Sequence, residues 1–301
     1  MPALPDGVLV VDKPQGPTSH DVVAVARRAL GVSRIGHTGT LDPMATGVLP
    51  LVVGKATRLA QYLTAGDKDY DATITFGRTT DSYDATGATV TTSDERPNRA
   101  QLDQAIEHFR GTFEQMPPAY SAKSVGGVRA YTLARQAQGA VVLRPVSVAV
   151  HRLEVVSFDG ESATLSMRVA AGFYVRSLAH DLGTALGTGA VLEALRRTRS
   201  GGFDLAMAVP LDEVVQTGHE ALSARIAPFD GLLPNLPSVV LKGPAGVERV
   251  KNGQEMTPSD ILEVPSPLPA LVRVMGPDGR LVGLAKPGKT PGCLHAAVVF
   301  A

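Results

Sequence analysis

The order of hydrophobic and polar positions predicts strands and helices that alternate over the first 200 residues. Apolar runs at Gly7–Val11 and Val48–Val53 are typical of buried strands, and Tyr70–Phe76 alternates apolar with polar residues, as a strand with one buried face does. Helical spacing begins after Thr18, a suitable N-cap, and ends at Gly31. The other predicted elements are helices at Lys55–Leu63, Arg99–Arg110, Ala130–Gln138 and Tyr174–Leu186 and strands at Ser147–Phe158 and Ala163–Ala170, with Val191–Arg197 open to either.

A change in composition near residue 230 predicts a domain boundary. Seven prolines and glycines fall between residues 226 and 246, which is typical of a connecting segment. Beyond it, short strands at Ala270–Met275 and Arg280–Ala285 flank a Pro-Asp-Gly turn. This pattern fits a small β-barrel module.

Composition narrows the class of protein. The chain has 301 residues, 44% of them hydrophobic, so it buries a sizeable core and is neither disordered nor fibrous. Its single cysteine, Cys293, excludes a disulfide framework and a cysteine-based metal cluster. No apolar run reaches the roughly 18–20 residues that span a bilayer, and the N-terminus lacks the pattern of a signal peptide. We therefore expect a soluble cytoplasmic protein that makes no membrane contact.

Charge is unevenly distributed along the chain, although the formal net charge is zero. Residues 67–115 carry ten acidic and five basic side chains, whereas residues 116–153 carry five basic and no acidic ones. Arg196, Arg197 and Arg199 form a second basic cluster. A locally basic surface on a neutral protein is able to bind phosphates. Unlike charges that face one another in the fold would produce the same counts, and the counts alone favour that interpretation.

Residues 34–49 are the strongest candidate for chemistry. They combine three glycines and one proline with His37, Thr38, Asp42 and Thr46, which describes a sharply folded loop before a strand. Such a loop presents polar side chains where backbone approaches a ligand closely. The alternative is structural, since an isolated Asp-Pro pair more often caps a turn than carries catalysis.

Other chemistries find less support in this segment. His37 and Asp42 supply too few ligands for a zinc or two-metal site, and a nucleophile elbow, a Walker loop and a dinucleotide fingerprint are missing from the sequence. A glycosidase needs a second carboxylate, and none lies near Asp42 in sequence, although a distant one would serve. The remaining interpretation is a single carboxylate nucleophile that acts on a base or a sugar without a cofactor.

Residues 36–49 (GHTGTLDPMATGVL) closely resemble the catalytic segment of the TruB family of bacterial tRNA pseudouridine synthases. Four further segments resemble the family in the same order along the chain. These are GVLVVDKPQG at 7–16, DKDY at 67–70 running on to Asp81–Gly87, PAYSAK at 118–123 and GFYVRSLAHDLG at 172–183. Together they span residues 7–200, whereas the C-terminal resemblance, to an RNA-binding barrel of the PUA type, is weak.

The resemblance implies roles for individual residues. Asp42 would be the essential nucleophile, which adds to C1′ of the sugar or C6 of uracil or assists glycal formation, and Arg176 would pair with it and hold it ionised. Tyr70 would stack on the target uracil, and its hydroxyl would help to move the C5 proton. Tyr174 would be a second aromatic wall or hydroxyl donor. His37 would fill the space that the flipped base leaves, with an ordinary loop histidine as the alternative.

The resemblance also implies a fold and a domain organisation. We expect an α+β fold with a mixed, mainly antiparallel central sheet and flanking helices, the pseudouridine synthase fold, followed by a small C-terminal PUA-like β-barrel. The catalytic domain would comprise residues 1–236, with an RNA-gripping insertion at residues 117–150, and the barrel residues 237–301. Lys123 and Arg129 in the basic insertion would contact phosphates.

The implied substrate is the T stem-loop of tRNA, with uridine 55 flipped out and isomerised. We expect no cofactor, no metal ion, no guide RNA and no obligate protein partner, and a monomer. Lys13 and Lys68 are interpreted as structural rather than catalytic. Three alternatives stay open: an RNA-binding factor without activity, a base-excising hydrolase, and, within the enzyme class, the guide-RNA-dependent archaeal and eukaryotic relatives.

Overall fold

The structure is a computed structural model that describes residues 6–119, 124–125, 128–129 and 144–300. The helix predicted at Ala130–Gln138 and the predicted phosphate ligand Lys123 lie outside the described residues, and so does the side chain of Arg129. The backbone of Arg129 is described and belongs to a short hairpin.

A mixed sheet of eleven strands forms the body of the molecule. Its strands and those of two short hairpins are, in chain order, β1 (Gly7–Lys13), β2 (Ile35–His37), β3 (Thr46–Val53), β4 (Lys68–Phe76), β5 (Arg78–Thr80), β6 (Thr89–Thr92), β7 (Gly111–Gln115), β8 (Ser124–Val125), β9 (Val128–Arg129), β10 (Val146–Phe158), β11 (Ser162–Val169), β12 (Ala190–Ser200), β13 (Phe203–Asp204), β14 (Val209–Pro210) and β15 (Ala227–Pro228). The main path runs β14-β1-β3-β12-β4-β11-β10-β7. Only the β1–β14 and β3–β12 pairs of this sheet are parallel, within the described ranges. The predicted mixed, mainly antiparallel sheet is confirmed.

Helices pack against this sheet. They are α1 (Ser19–Leu30), α2 (Ala60–Thr64), α3 (Arg99–Glu107), α4 (Val175–Ala185), α5 (Leu211–Gln216) and α6 (His219–Ser223). Helix α1 begins and ends as predicted: Thr18 and Asp21 form a capping box, and Gly31 ends the helix in the left-handed conformation. The helical structure predicted at Lys55–Leu63 is confirmed, and it divides into a 3₁₀ helix, Gly54–Leu59, and α2. There the Thr57 hydroxyl donates to the Gly54 carbonyl over three residues, which suits the tighter turn.

Val191–Arg197, which the pattern left open, lies in strand β12 at the centre of the sheet. Strand β12 lies between β3 and β4, and the helical alternative would leave both neighbours without their hydrogen-bond partner. Its position matters for the site, because β3 follows the Asp42 loop and β4 carries Tyr70.

The C-terminal residues form a separate sheet with its own core. Four strands, β16 (Ser238–Val240), β17 (Val272–Met275), β18 (Leu281–Pro287) and β19 (Leu294–Val299), lie in that order, with helix α7 (Pro244–Lys251) against them. The predicted strands on both sides of the Pro-Asp-Gly turn are confirmed as β17 and β18. Closure into a PUA-like barrel and the domain boundary after residue 236 stay predictions.

Among the described helices, none combines the length and the apolar character needed to cross a membrane.

Substitution of Phe76, at the end of strand β4, would show how much the core contributes to the free energy of unfolding. Phe76 is 2% exposed and packs edge-to-face on Phe158. We expect Phe76→Ala to lower the free energy of unfolding by about 3–5 kcal/mol, because truncation leaves a cavity that the sheet cannot close. Val90→Ala, at a side chain that is 63% exposed, should change it by less than about 0.5 kcal/mol. Urea unfolding measures both, and equal small effects would contradict the packing described.

Candidate active site

The structure brings four of the predicted site residues together around one cavity of about 130 Å³. Asp42 lies on the loop before β3, Tyr70 on β4, and Tyr174 and Arg176 at the start of α4. The cavity is also lined by Thr40, Leu41, Phe173, Val175 and Leu195. Its walls therefore combine one carboxylate and one guanidinium with aromatic and aliphatic surface.

Asp42 and Arg176 form an ion pair in this cavity. The Arg176 Nε lies 2.9 Å from Asp42 Oδ2, and the arginine side chain is 8% exposed against 35% for the aspartate. A charge-assisted contact of this length to a buried guanidinium fixes the direction of the carboxylate. The carboxylate thus faces the cavity with one oxygen already oriented by the protein.

The acidic run Asp81–Asp84, which the sequence leaves unexplained, folds into a loop behind Arg176. Arg176 Nη1 donates to the Ser82 carbonyl at 3.2 Å and lies 3.9 Å from Asp84 Oδ2. The other oxygen of Asp84 accepts from the Ser82 hydroxyl and from the backbone and hydroxyl of Thr86. Asp84 therefore organises its own loop and presents a second carboxylate to the same guanidinium.

Two side chains hold the Asp42 loop by its backbone. The buried Ser19 hydroxyl accepts from Leu41 N at 2.8 Å and donates to the Leu41 carbonyl at 3.0 Å. Lys13 Nζ donates to the carbonyls of Pro43 and Ala45 at 3.3 and 2.7 Å. These contacts on both sides of Asp42 restrict the path of the loop. They agree with the interpretation of Lys13 as structural, which stays a prediction.

Burial lowers the pKa of two lysines, Lys13 beside this loop and Lys68 on β4. Desolvation lowers the pKa of the Lys13 ammonium from 10.5 to about 8, with Asp42 opposing the shift and Arg197 adding to it. Desolvation, reinforced by Arg197, also lowers the pKa of Lys68 from 10.5 to about 8. Lys68 Nζ donates to the carbonyls of Thr64 and Gly66, so it too bonds to backbone, away from the cavity.

The start of helix α4 is held by Gln115 at the end of β7. Its amide nitrogen donates to the Tyr174 carbonyl at 3.0 Å, and its amide oxygen accepts from Tyr174 N at 2.9 Å. Ser177 Oγ donates to the Met116 carbonyl at 2.7 Å. A glutamine 59 residues away in sequence carries no local signal of this contact, and only the fold reveals that it places Tyr174 and Arg176.

Two of the three arginines in the second basic cluster of the sequence form internal ion pairs. Arg196 contacts the carboxylate of Asp12 through both Nη atoms, and Arg199 contacts that of Asp69 through Nε and Nη2. Arg197 is buried. The interpretation that unlike charges face one another is therefore correct for Arg196 and Arg199, whereas Arg197 donates to backbone carbonyls.

His37 lies on β2, outside the lining of the cavity. Its Nδ1 accepts from Gly39 N at 3.3 Å, and its ring packs edge-on against His20 of α1 at a centroid distance of 5.4 Å. The structure thus places His37 at the base of the Asp42 loop with its ring orientation set by two neighbours. Its predicted role stays a prediction.

Cavity size alone does not identify the site. A larger cavity of about 920 Å³ lies between the two sheets, beside Phe229 and Phe300, and includes none of the predicted site residues. Within the described residues, no group of three or more His, Cys, Asp and Glu side chains could hold a metal ion. The ion pair between Asp42 and the buried Arg176 is what distinguishes the smaller cavity.

Family models match most of this chain. Residues 27–175 match "TruB family pseudouridylate synthase (N terminal domain)", and residues 176–234 match "tRNA pseudouridylate synthase B C-terminal domain". A protein of Solibacter usitatus called "tRNA pseudouridine synthase B" is 43% identical over 98% of this chain and 100% of its own length. The chain belongs to the TruB family of pseudouridylate synthases. It is an RNA pseudouridine synthase, as the sequence resemblance implied.

Other similar proteins agree with this assignment to the TruB family. A "tRNA pseudouridine synthase B" of Symbiobacterium thermophilum is 47% identical over 82% of both chains. The solved "archaeal box H/ACA sRNP Nop10-Cbf5 complex" contains a chain with a TM-score of 0.75 at 27% identity, covering 99% of this chain and 87% of that one. A similar chain, with a TM-score of 0.74 and 28% identity, comes from an "H/ACA RNP bound to a substrate RNA containing 2'-deoxyuridine", covering 98% of this chain and 85% of that one. These likenesses confirm the pseudouridine synthase fold.

Asp84 presents a second carboxylate to Arg176, so we expect its removal to slow the reaction. We expect Asp84→Asn to slow pseudouridine formation by about tenfold to a hundredfold, because an amide nitrogen would face the guanidinium in place of a carboxylate oxygen. Single-turnover assays on an RNA substrate measure the rate. Asp81→Asn, at an exposed carboxylate of the same loop, is the control and should react like the wild type. Equal rates for both variants would contradict the role of Asp84.

Because the pKa of Lys68 is lowered in the folded chain, the free energy of unfolding should depend on pH. Between about pH 8 and pH 10.5 the unfolded chain keeps the lysine proton that the folded chain has lost, so the free energy of unfolding rises with pH. Lys68→Met removes this contribution. The stability of the wild type relative to Lys68→Met should therefore increase over this range, as urea unfolding at several pH values would show. A difference independent of pH would mean that the pKa of Lys68 is ordinary.

Proposed function

We propose that this protein converts uridine 55 in the T-loop of tRNA to pseudouridine, with Asp42 as the nucleophile and the uridine flipped into the Asp42 cavity. The observation that carries the proposal is the 2.9 Å pair between Asp42 and the buried Arg176, beside Tyr70, in a TruB-family chain. It supports a carboxylate that is oriented before the substrate arrives.

The chemistry of the isomerisation matches these residues. The N1–C1′ bond breaks, the base rotates, and the C5–C1′ bond forms. C5 loses its proton to make room for the sugar, and N1 gains a proton. Atoms and oxidation level are conserved, so the balance requires no redox cofactor. Asp42 assists the cleavage at the sugar or the base, and the Tyr70 ring and hydroxyl are available to stack on uracil and to move the proton.

The small volume of the cavity supports base flipping. Its volume of about 130 Å³ is below the ~300–1,000 Å³ of sites for drug-sized ligands. A single base fits this scale, whereas a stacked base within a folded loop does not. We therefore propose that the target uracil leaves its stack to reach Asp42 and that His37, at the base of the loop, fills the space that the base leaves in the RNA.

A tRNA substrate without a guide RNA is favoured by the relatives. The proteins of 43 and 47% identity are called tRNA pseudouridine synthases, whereas the chains from the H/ACA complexes are 27 and 28% identical. Direct recognition also agrees with the five basic and no acidic side chains of residues 116–153. We accordingly propose a monomeric, cytoplasmic enzyme that acts alone, with Lys123 and Arg129 as phosphate contacts.

The nucleophile is tested by Asp42→Asn. An unmodified tRNA transcript is incubated with the protein, and pseudouridine is located by mass spectrometry of nuclease fragments. We expect the wild type to modify position 55, and Asp42→Asn to react at least about 1,000-fold more slowly, because the amide cannot act as a nucleophile. The Kd for tRNA should change by less than about threefold, since phosphate contacts dominate affinity.

The matched control is Asp71→Asn, an exposed carboxylate on the strand that carries Tyr70, which should keep the wild-type rate. A transcript with cytidine at position 55 should give no pseudouridine. Released uracil would instead indicate a base-excising hydrolase, and binding without any product an RNA-binding factor. Modification only after addition of a guide RNA would indicate the alternative enzyme class.

A further inference from the structure

Arg197 is a deeply buried arginine beside the site. It is 1% exposed, and its guanidinium is directed at the backbone of the Asp42 loop. Nε donates to the Val48 carbonyl at 2.7 Å, Nη2 to the Gly39 carbonyl at 3.1 Å and Nη1 to the Thr40 carbonyl at 3.4 Å. The three acceptors lie on both sides of Asp42, so one planar group joins the two ends of the loop.

The partners of Arg197 differ from those of its neighbours. Among the described residues, Arg196 and Arg199 form ion pairs with carboxylates, whereas the guanidinium of Arg197 forms none. A buried cation without a counter-ion is costly unless its donors are satisfied in other ways. Here loop carbonyls satisfy them, and the loop and the guanidinium consequently depend on each other.

The strand register places Arg197 between the two halves of the site. It lies opposite Tyr70 of β4 on one side and Gly47 of β3 on the other. A Cβ added to Gly47 would lie 2.2 Å from the Arg197 carbonyl, so the end of the loop is pressed against this residue. Asp69 and Tyr70 are successive on β4, so their side chains lie on opposite faces of the sheet. Arg199 pairs with Asp69 and therefore lies on the face opposite to Arg197.

We infer that Arg197 is a positioning residue for the reaction, a clamp that sets the place of Asp42 relative to Tyr70 and Arg176 by holding the carbonyls of Gly39, Thr40 and Val48. The inference rests on the proposed function for its kinetic part only. The clamp requires the geometry of a guanidinium. A lysine ammonium is a single point and cannot reach three carbonyls that surround a planar fork.

The experiment compares Arg197→Lys and Arg197→Met with the matched control Arg199→Lys. Hydrogen exchange of peptides covering residues 36–48 reports on the loop, and single-turnover kinetics on a T stem-loop RNA report on chemistry. For both Arg197 variants we expect exchange of the loop amides to be at least about tenfold faster. The reaction rate should fall about 100-fold, since a displacement of about 1 Å has this effect, while the Kd for RNA stays within about threefold of the wild type. Arg199→Lys should match the wild type in all three.

Each outcome decides for or against the clamp. Wild-type loop exchange in a folded Arg197→Lys would overturn it, whatever the activity. Equal effects of Arg197→Lys and Arg199→Lys would overturn it in favour of general destabilisation of β12. Full activity of Arg197→Lys beside an inactive Arg197→Met would show that charge acts and the fork does not. If the wild type formed no pseudouridine while loop exchange still depended on Arg197, the proposed function would fail and the clamp on the loop would stand.

Discussion

The position of one carboxylate on an irregular loop is the constraint on which this molecule depends. A loop rich in glycine has little structure of its own, so Asp42 is placed by contacts from elsewhere in the fold. Ser19 from α1, Lys13 from β1 and Arg197 from β12 bind the backbone of the loop, and Arg176 from α4 binds the carboxylate itself. Four elements distant in sequence thus converge on one side chain, which is how a fold pre-organises a site that local structure cannot.

The electrostatics of the site follow from this arrangement. Backbone carbonyls stabilise the buried cations of Lys13 and Arg197, and carboxylates stabilise that of Arg176. Asp84, on the far side of Arg176, balances the guanidinium, and hydrogen bonds close its own loop. The charges that matter for chemistry are therefore few and individually oriented, whereas the net charge of the chain is zero.

The arginines of β12 show why charge counts along a sequence do not identify a binding surface. Arg196, Arg197 and Arg199 are close neighbours in sequence, yet each has a different environment: an ion pair with Asp12, a buried set of carbonyls, and an ion pair with Asp69. Alternation of side chains along the strand sends Arg196 and Arg197 to opposite faces, and a shift of register between Arg197 and Arg199 separates those two as well. A run of like charges in a strand therefore splits into separate interactions.

Much of the fold was determined by the sequence alone, because the apolar periodicity of strands such as β4, the cap at Thr18 and the stop at Gly31 are local signals. The Asp42 motif likewise identified the family. Tertiary structure alone decided that Val191–Arg197 is a strand, since its period was ambiguous and the neighbours β3 and β4 settle it. It alone revealed the parts of Gln115 and Arg197 as well. Their hydrogen bonds join residues 59 and about 150 positions apart, and contacts at such separations leave no pattern in a single sequence, because packing selects the partner after the chain has folded.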